Sequence, residues 1–227
     1  NVIKRNKGGK KMISDNLYSL RKLNQLTQEE VSERVGVSRQ ALAKWENIDA
    51  YFEKVKELYA SFCQGEIVVT DIRTAEMTKV VENTFRAVNI AFANELAKIC
   101  RHDNMDVYEI IRICNMHPRV NILQPGPGVG GHCISVDPWF LVGDYPSLAN
   151  LIWQARKIND SMPAFVLERI HTIMKEKGMT DISRVGLYGL TYKENVDDMR
   201  ESPTLQLLES QERHLAPTLK VYDPFIT

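Results

Sequence analysis

No charge of one sign dominates this 227-residue chain: 29 basic residues stand against 29 acidic ones, so the chain as a whole is not built to bind a polyanion. Cysteine is scarce. The four present, Cys63, Cys100, Cys114 and Cys133, form no C-x-x-C pair and no short even-spaced framework, so neither a zinc site nor a disulfide scaffold is expected. A reducing cytoplasm suits such a set. No apolar run approaches the ~20 residues that span a bilayer, and the basic start lacks the apolar stretch of a signal peptide. The expectation is a soluble, cytosolic protein with no membrane partner. What the chain does have is 44% hydrophobic residues, enough to pack a core in one or two domains.

The balanced charge hides an asymmetry. Residues 1 to 48 carry ten Lys/Arg and five Asp/Glu, leaving nineteen against twenty-four for the remainder. The leading NVIKRNKGGKK has no periodicity. Its Lys-Gly-Gly-Lys can be encoded by a purine-rich run like a ribosome-binding site ahead of Met12, so residues 1–11 are expected to be a non-native leader or a disordered basic arm.

From Ser14 to Asn47 the pattern is helical: Leu17, Leu20, Leu23 and Leu26 share one side, followed by Val31, Val35, Ala41, Leu42 and Trp45. Thr27 with Glu30 three residues on is a capping box, and Ser38 caps a third helix after a turn in which Gly36 takes positive φ. Over about thirty-five residues, LRKLNQLTQEEVSERVGVSRQALAKWEN resembles the helix-turn-helix module of the Cro and lambda-repressor type. The resemblance implies DNA binding, with Ser38, Arg39, Gln40 and Lys44 facing the major groove and Gln28 contacting backbone. The alternative is a packing unit whose polar face is merely solvated. The chain changes character after Asn47, and the module over 12–48 is expected to be truncated.

Downstream, YFEKVKELYASF reads as a helix and EIVVT as a short strand. Helices follow from Thr74 to about His102, Asp106 to Asn115, Ser147 to Asp160 and Met162 to Lys177. RVGLYGL, PTLQLLESQER and LKVYDP then read as strand, helix and strand, the start of a doubly wound α/β domain. The fold class expected is mainly α with an α/β end.

Two stretches carry chemistry. PGPGVGGHC, residues 125–133, satisfies G-x-G-x-x-G through Gly126, Gly128 and Gly131. A dinucleotide cradle, however, follows a buried strand and opens a helix, and here Pro125 and Pro127 remove two backbone donors. The alternative use of glycine is close backbone approach beside a nucleophile, Cys133, which precedes a helix start at Asp137-Pro138. Against it stands a buried structural cysteine, and spacing alone leaves the two even. In the long helix, Lys79, Asn83 and Arg86 at i, i+4 and i+7 project from one face, with Val80, Val81, Val88, Ile90 and Phe92 expected to pack inward. Lys79 with Glu76 and Glu82 also fits an ordinary surface charge pattern. Asn83 is a poor helix former in mid-helix, which hints at a function.

In order along the chain, TAEMTKVVENTFRAVNIAFANELA, HPRVNILQPGPGVGGHCISVDPWF and GLTYKENVDDMRESP resemble successive signatures of the UDP-glucose and GDP-mannose dehydrogenase family, in its branch acting on UDP-N-acetylmannosamine. The resemblance covers about residues 51–227. It implies oxidation of a sugar C6 alcohol to a carboxylate with NAD as cofactor and a UDP-sugar as substrate, in a homodimer built on the central helix. By that resemblance Cys133 is the nucleophile that captures the aldehyde as a thiohemiacetal and then a thioester. Lys79, with Asn83 beside it, steadies oxyanion charge, and Asp137 supports a base or orients water. Arg86, His117, Arg119, Gly130, Tyr192 and Lys193 correspond to substrate-binding positions, with Arg119 reaching the partner's site, and Arg200 corresponds to an NAD contact.

The resemblance divides the chain into 49–72, a remnant of the NAD-binding domain, 73–180, a central all-α dimerisation domain, and 181–227, an incomplete UDP-sugar-binding α/β domain. A true dinucleotide fingerprint is lacking, so weak or no turnover is expected. Two other functions remain open: a DNA-binding regulator with a sugar-nucleotide-sensing body, and a structural dimer.

Overall fold

The computed structural model describes residues 21–46, 48–212 and 220–226. The expected leader, the Met12 start, Leu17 and Leu20 lie outside them. The chain divides into two compact units, Asn1–Ile72 and Arg73–Thr227.

In the first unit, α1 (Gln28–Val35) opens on a complete capping box: the Glu30 amide donates to Thr27 Oγ1 at 3.2 Å, and the Thr27 amide donates to Glu30 Oε2 at 2.7 Å. That Thr27 N–H bond, above all, holds the Glu30 carboxyl below its ordinary range. Gly36 ends α1 at φ +72, a left-handed cap that few side chains tolerate. Ser38 then accepts the Ala41 amide at 3.2 Å and starts α2 (Arg39–Glu46), whose Leu42 is fully buried. Burial of one leucine contributes about 1.5–3 kcal/mol. A third helix, α3 (Ile48–Ala60), follows. The strand expected at EIVVT is absent: residues 66–70 have no ladder, and Val68 and Val69 are exposed. β propensity makes no strand without a neighbour to take its N–H groups, and among the described residues the two strands pair with each other.

The second unit is organised by α4 (Ile72–His102), 31 residues long. Its C-terminal half packs Ala93 and Cys100 against Val107 and Ile111 of α5 (Val107–Cys114), which Asp106 caps through the Tyr108 and Glu109 amides. Cys100 there acts as a small buried hydrophobe. The long loop after α5 leads into α6 (Asp137–Asp144), which packs on α7 (Asn150–Asp160). Next come α8 (Met162–Glu176) and a single 3₁₀ turn. Strand β1 (Gly186–Tyr188) pairs in parallel with β2 (Lys220–Tyr222), Leu187 opposite Val221. Between them α9 (Pro203–Glu212) packs on α8, completing the expected strand-helix-strand unit. No helix among the described residues is long and apolar enough to cross a membrane.

The orientation of α4 departs from expectation. Val81 and Phe92, expected inside, are exposed, while Val80, Val88 and Ile90 are half-buried. The buried face is Asn83, Thr84, Ala87, Ala91, Ala93, Asn94 and Cys100. Small and amide side chains let neighbouring backbone come close, and hydrogen bonds rather than apolar bulk decide which side faces in.

Candidate functional site

The loop from His117 to Asp137 is fastened to α4 by asparagines. Asn89 Nδ2 donates to the Asn121 carbonyl at 2.8 Å, and Asn89 Oδ1 accepts the Leu123 amide at 2.9 Å. Asn94, wholly buried, accepts the Gly126 amide at 2.8 Å and donates to Asn159 Oδ1 at 2.9 Å. Asn159, in turn, donates to the Ala87 carbonyl at 2.9 Å. Asn83 Nδ2 donates to Asp137 Oδ2 at 2.6 Å, 54 residues away in sequence. A buried amide must have its bonds made, so each of these side chains fixes a loop position as well as closing its own hydrogen-bonding requirement. Sequence reasoning singled out Asn83 and missed Asn89, Asn94, Asn115 and Asn159. The signal was present, since three asparagines within one helix run against helix propensity.

Cys133 is exposed and stands four residues ahead of α6, its carbonyl accepting the Val136 amide at 3.2 Å and the Asp137 amide at 2.8 Å. Asp137 therefore touches both the thiol residue's backbone and the Asn83 amide. Buried Ser135, not anticipated from sequence, donates from Oγ to the Gly131 carbonyl and tightens the turn. Lys79 forms an exposed ion pair with Glu82 at 3.9 Å, as the surface-pattern alternative expected, one helical turn before Asn83. Arg86, three residues beyond Asn83, is exposed. His117 and Arg119 are exposed in a turn where His117 Nδ1 accepts the Arg119 amide at 3.2 Å.

The glycines admit the chain's own backbone. A Cβ on Gly130 would collide with the Glu201 carbonyl and lie 2.7 Å from Tyr192 Cβ, and one on Gly131, at φ +82, would lie 2.8 Å from the Tyr192 ring. The Gly131 amide is taken by the Arg200 carbonyl at 3.0 Å. With the Gly126 amide on Asn94 and two prolines lacking N–H, this loop does not fit a dinucleotide pyrophosphate.

Tyr192, Lys193 and Arg200 belong to the segment after β1. Asp223, buried just past β2, accepts the Leu190 amide at 2.7 Å and the Thr191 amide at 3.3 Å on Oδ2, and the Phe225 amide at 2.8 Å on Oδ1. Those backbone donors, Leu190 foremost, pull its carboxyl below the usual range. Tyr192, next in line, donates its amide to the Asp198 carbonyl at 3.1 Å and presents its ring to Gly131. Lys193 is exposed, its carbonyl accepting Thr191 Oγ1 at 2.8 Å. Arg200 closes a fork on Asp198, Nε to Oδ1 at 2.8 Å and Nη2 to Oδ2 at 2.6 Å, and this holds the Asp198 carboxyl at about 2. Arg200 thus stands paired rather than extended toward a ligand. No group of three or more His, Cys, Asp or Glu among the described residues can hold a metal ion.

In the first unit, Ser38, Arg39, Gln40 and Lys44 are exposed along α2 and its cap, and Gln28 is half-buried.

Residues 17–47 match a helix-turn-helix family. Residues 73–161 match the central domain of the UDP-glucose/GDP-mannose dehydrogenase family, and residues 186–227 match its UDP-binding domain. The chain is 57% identical over 151 residues to a UDP-N-acetyl-D-mannosamine dehydrogenase of Methanocaldococcus jannaschii, a match covering 66% of this chain and 34% of that protein. It is 48% identical over 174 residues to an NDP-N-acetyl-D-galactosaminuronic acid dehydrogenase of Ralstonia nicotianae, covering 77% of this chain and 40% of the relative. A solved UDP-D-ManNAc dehydrogenase from Pyrococcus horikoshii superposes with a TM-score of 0.70 at 40% identity, over 77% of this chain and 42% of that one. The chain spans about a third to two fifths of the length of the curated relatives it matches. Through its central and UDP-binding segments, together more than half of its length, the chain belongs to the UDP-glucose/GDP-mannose dehydrogenase family.

Proposed function

We propose that the second unit carries the thiol site and the UDP-sugar-facing segment of a nucleotide-sugar 6-dehydrogenase acting on UDP-N-acetylmannosamine. The single observation that carries this reading is the 2.6 Å bond from Asn83 to Asp137, which ties the long helix to the turn bearing Cys133. Such a tie fixes the turn that carries the exposed Cys133 sulfur. The activity requires NAD, which accepts the two electrons of each oxidation. The described residues offer that dinucleotide no cradle, so the steps assigned to this chain are those of its own side chains.

In the first, the Cys133 sulfur forms a bond to the C6 carbon of the aldehyde, the carbonyl π pair moves to oxygen, and that oxygen takes up the thiol proton to give a thiohemiacetal. In the last, a water oxygen attacks the thioester carbon, the carbon–sulfur bond breaks, and the sulfur recovers a proton while the carboxylate departs. Asp137 is suited to receive the proton lost by that water. The Asn83 amide and, after a modest swing away from Glu82, the Lys79 ammonium are suited to stabilise charge on the C6 oxygen. Arg86, His117 and Arg119 offer exposed donors for the sugar nucleotide, and Tyr192 and Lys193 line it from the side of the UDP-binding segment. By the same proposal Arg200, paired with Asp198 in this structure, would be the residue that contacts the dinucleotide.

The chain acts as a cytoplasmic homodimer in this proposal. The support is the exposed apolar stripe of α4, Met77, Val81, Phe85 and Phe92, which lies at helical spacing along a helix with nothing covering that side among the described residues.

The test is alkylation. UDP-N-acetylmannosamine is expected to slow iodoacetamide labelling of Cys133 while exposed Cys63 in the same chain labels at an unchanged rate. Equal labelling of Cys133 with and without the sugar nucleotide would refute the assignment.

A second reading concerns residues 17–47 alone. Arg39, Gln40 and Lys44, exposed on one short helix behind a formed cap, support duplex DNA as a partner. Salt-dependent binding to duplex DNA, lost in the Arg39→Ala and Lys44→Ala double variant, is the expected result. Binding unaffected by that variant would refute it.

A further inference from the structure

Tyr192 stands in a short loop after β1 that is held at both ends. At its root Asp223 accepts the Leu190 and Thr191 amides at 2.7 and 3.3 Å, and further on the Tyr192 amide donates to the Asp198 carbonyl at 3.1 Å. Arg200 closes the far end. Its guanidinium forks onto the Asp198 carboxylate, and its amide donates to Asp198 Oδ1 at 3.0 Å. Main chain tied at these points sets the direction in which the Tyr192 side chain leaves it.

That direction is the glycine loop. Tyr192 Cβ lies 2.7 Å from where a Cβ on Gly130 would stand, and the ring atoms Cε2, Cδ2 and Cζ lie 2.8, 3.0 and 3.1 Å from the same point on Gly131. One side chain therefore fills the room that two consecutive residues would need for their own. Gly131 is in turn the anchor of the thiol turn. Its amide donates to the Arg200 carbonyl at 3.0 Å, its carbonyl accepts the buried Ser135 hydroxyl, and Cys133 lies midway between Gly131 and Ser135. The Cys133 carbonyl then accepts the Val136 and Asp137 amides at 3.2 and 2.8 Å. Cys133 is exposed, so the place of its sulfur depends on the backbone beneath it.

We infer that Tyr192 is a positioning residue for Cys133: its ring, seated on Gly130 and Gly131, grips the first residue of the thiol turn together with the Arg200 carbonyl and so fixes the backbone from which the sulfur projects. The glycines spaced like a dinucleotide fingerprint then have a use of their own. They seat a side chain of the UDP-binding segment, which links that segment to the thiol. Tyr192 acts here through the turn, and the inference rests on the proposed function only in taking Cys133 as the reacting thiol.

Amide hydrogen exchange on the full chain without ligand tests this. The reporters are the Gly131 N–H, bonded to Arg200, and the Asp137 N–H, bonded to Cys133, with the Asn115 N–H on Ile111 at 2.9 Å as the control outside the turn. Tyr192→Ala is expected to speed exchange at Gly131 and Asp137 by about tenfold, because the apolar contact that closes the turn is lost. Asn115 should keep its wild-type rate. Tyr192→Phe keeps the ring and should restore both reporters to within about twofold of wild type. Wild-type rates at Asp137 in Tyr192→Ala, an equal rise at Asn115, or a failure of Tyr192→Phe to restore the reporters each overturns the inference. Because no ligand is added, the result stands apart from whether Cys133 is protected by a sugar nucleotide.

Discussion

The two faces of α4 invert the usual arrangement. The side turned to the rest of the unit carries Asn83, Asn94, Thr84 and small alanines, whereas the side turned outward carries Met77, Val81, Phe85 and Phe92. An ordinary surface helix buries its oil and exposes its amides. Here the inner face is specified by hydrogen bonds to one loop, which fixes register residue by residue, and the outer face is left with apolar area that water disfavours. Precision belongs to the inner face, and the outer face keeps exposed apolar area.

Breaking the inner face should have the largest effect. Asn94→Leu strips acceptors and donors from Gly126 and Asn159 at a site with no exposure, and a loss of about 3 kcal/mol in urea unfolding is expected. Phe85→Asp attacks the outer face instead. It should shift the proposed dimer to monomer by light scattering while changing the stability of the fold by no more than about 0.5 kcal/mol, since the ring is already exposed. A variant that unfolds would mean the stripe belongs to the inner packing.

Smaller effects sharpen the comparison at the edges. Arg200→Ala should let the Asp198 carboxyl rise from about 2 toward the ordinary value of about 3.9, read by NMR titration. Because the folded value is lowered, the stabilisation from Asp198 is complete above the unfolded value and fades as pH falls from about 4 toward 2, a slope the variant should show more weakly, since the Arg200 amide still donates to Asp198 Oδ1. Smallest of all, Lys79→Met removes an exposed pair and should alter stability by less than about 0.5 kcal/mol. A larger loss would show that the ammonium is buried in solution.

Helix boundaries were legible because caps and period are local. Thr27 with Glu30, Ser38, Asp106 and the Pro138 start all sit where the sequence puts them. The orientation of α4 was not legible. Counting apolar residues favours Val81 and Phe92 as core, and only the loop 30 to 50 residues downstream, with its bare amides, gives Asn89 and Asn94 a reason to turn in. The strand expected at residues 66–70 failed for a related reason, since pairing is a property of neighbours. For the candidate site, Asn83, Asp137 and Cys133 were nameable as separate residues, and their junction through 2.6 and 2.8 Å bonds is a fact of the tertiary structure. Tyr192 and Glu201 as the groups that fill the glycines' empty space were likewise beyond periodicity, because that contact crosses about 60 to 70 residues of chain.

The most direct measurement of the central claim, that an inward amide of α4 holds the thiol turn, is a double-mutant cycle between Asn83→Ala and Asp137→Ala read by urea unfolding. A coupling of about 1–2 kcal/mol between the two sites is expected. Strictly additive losses, with no coupling, would contradict it.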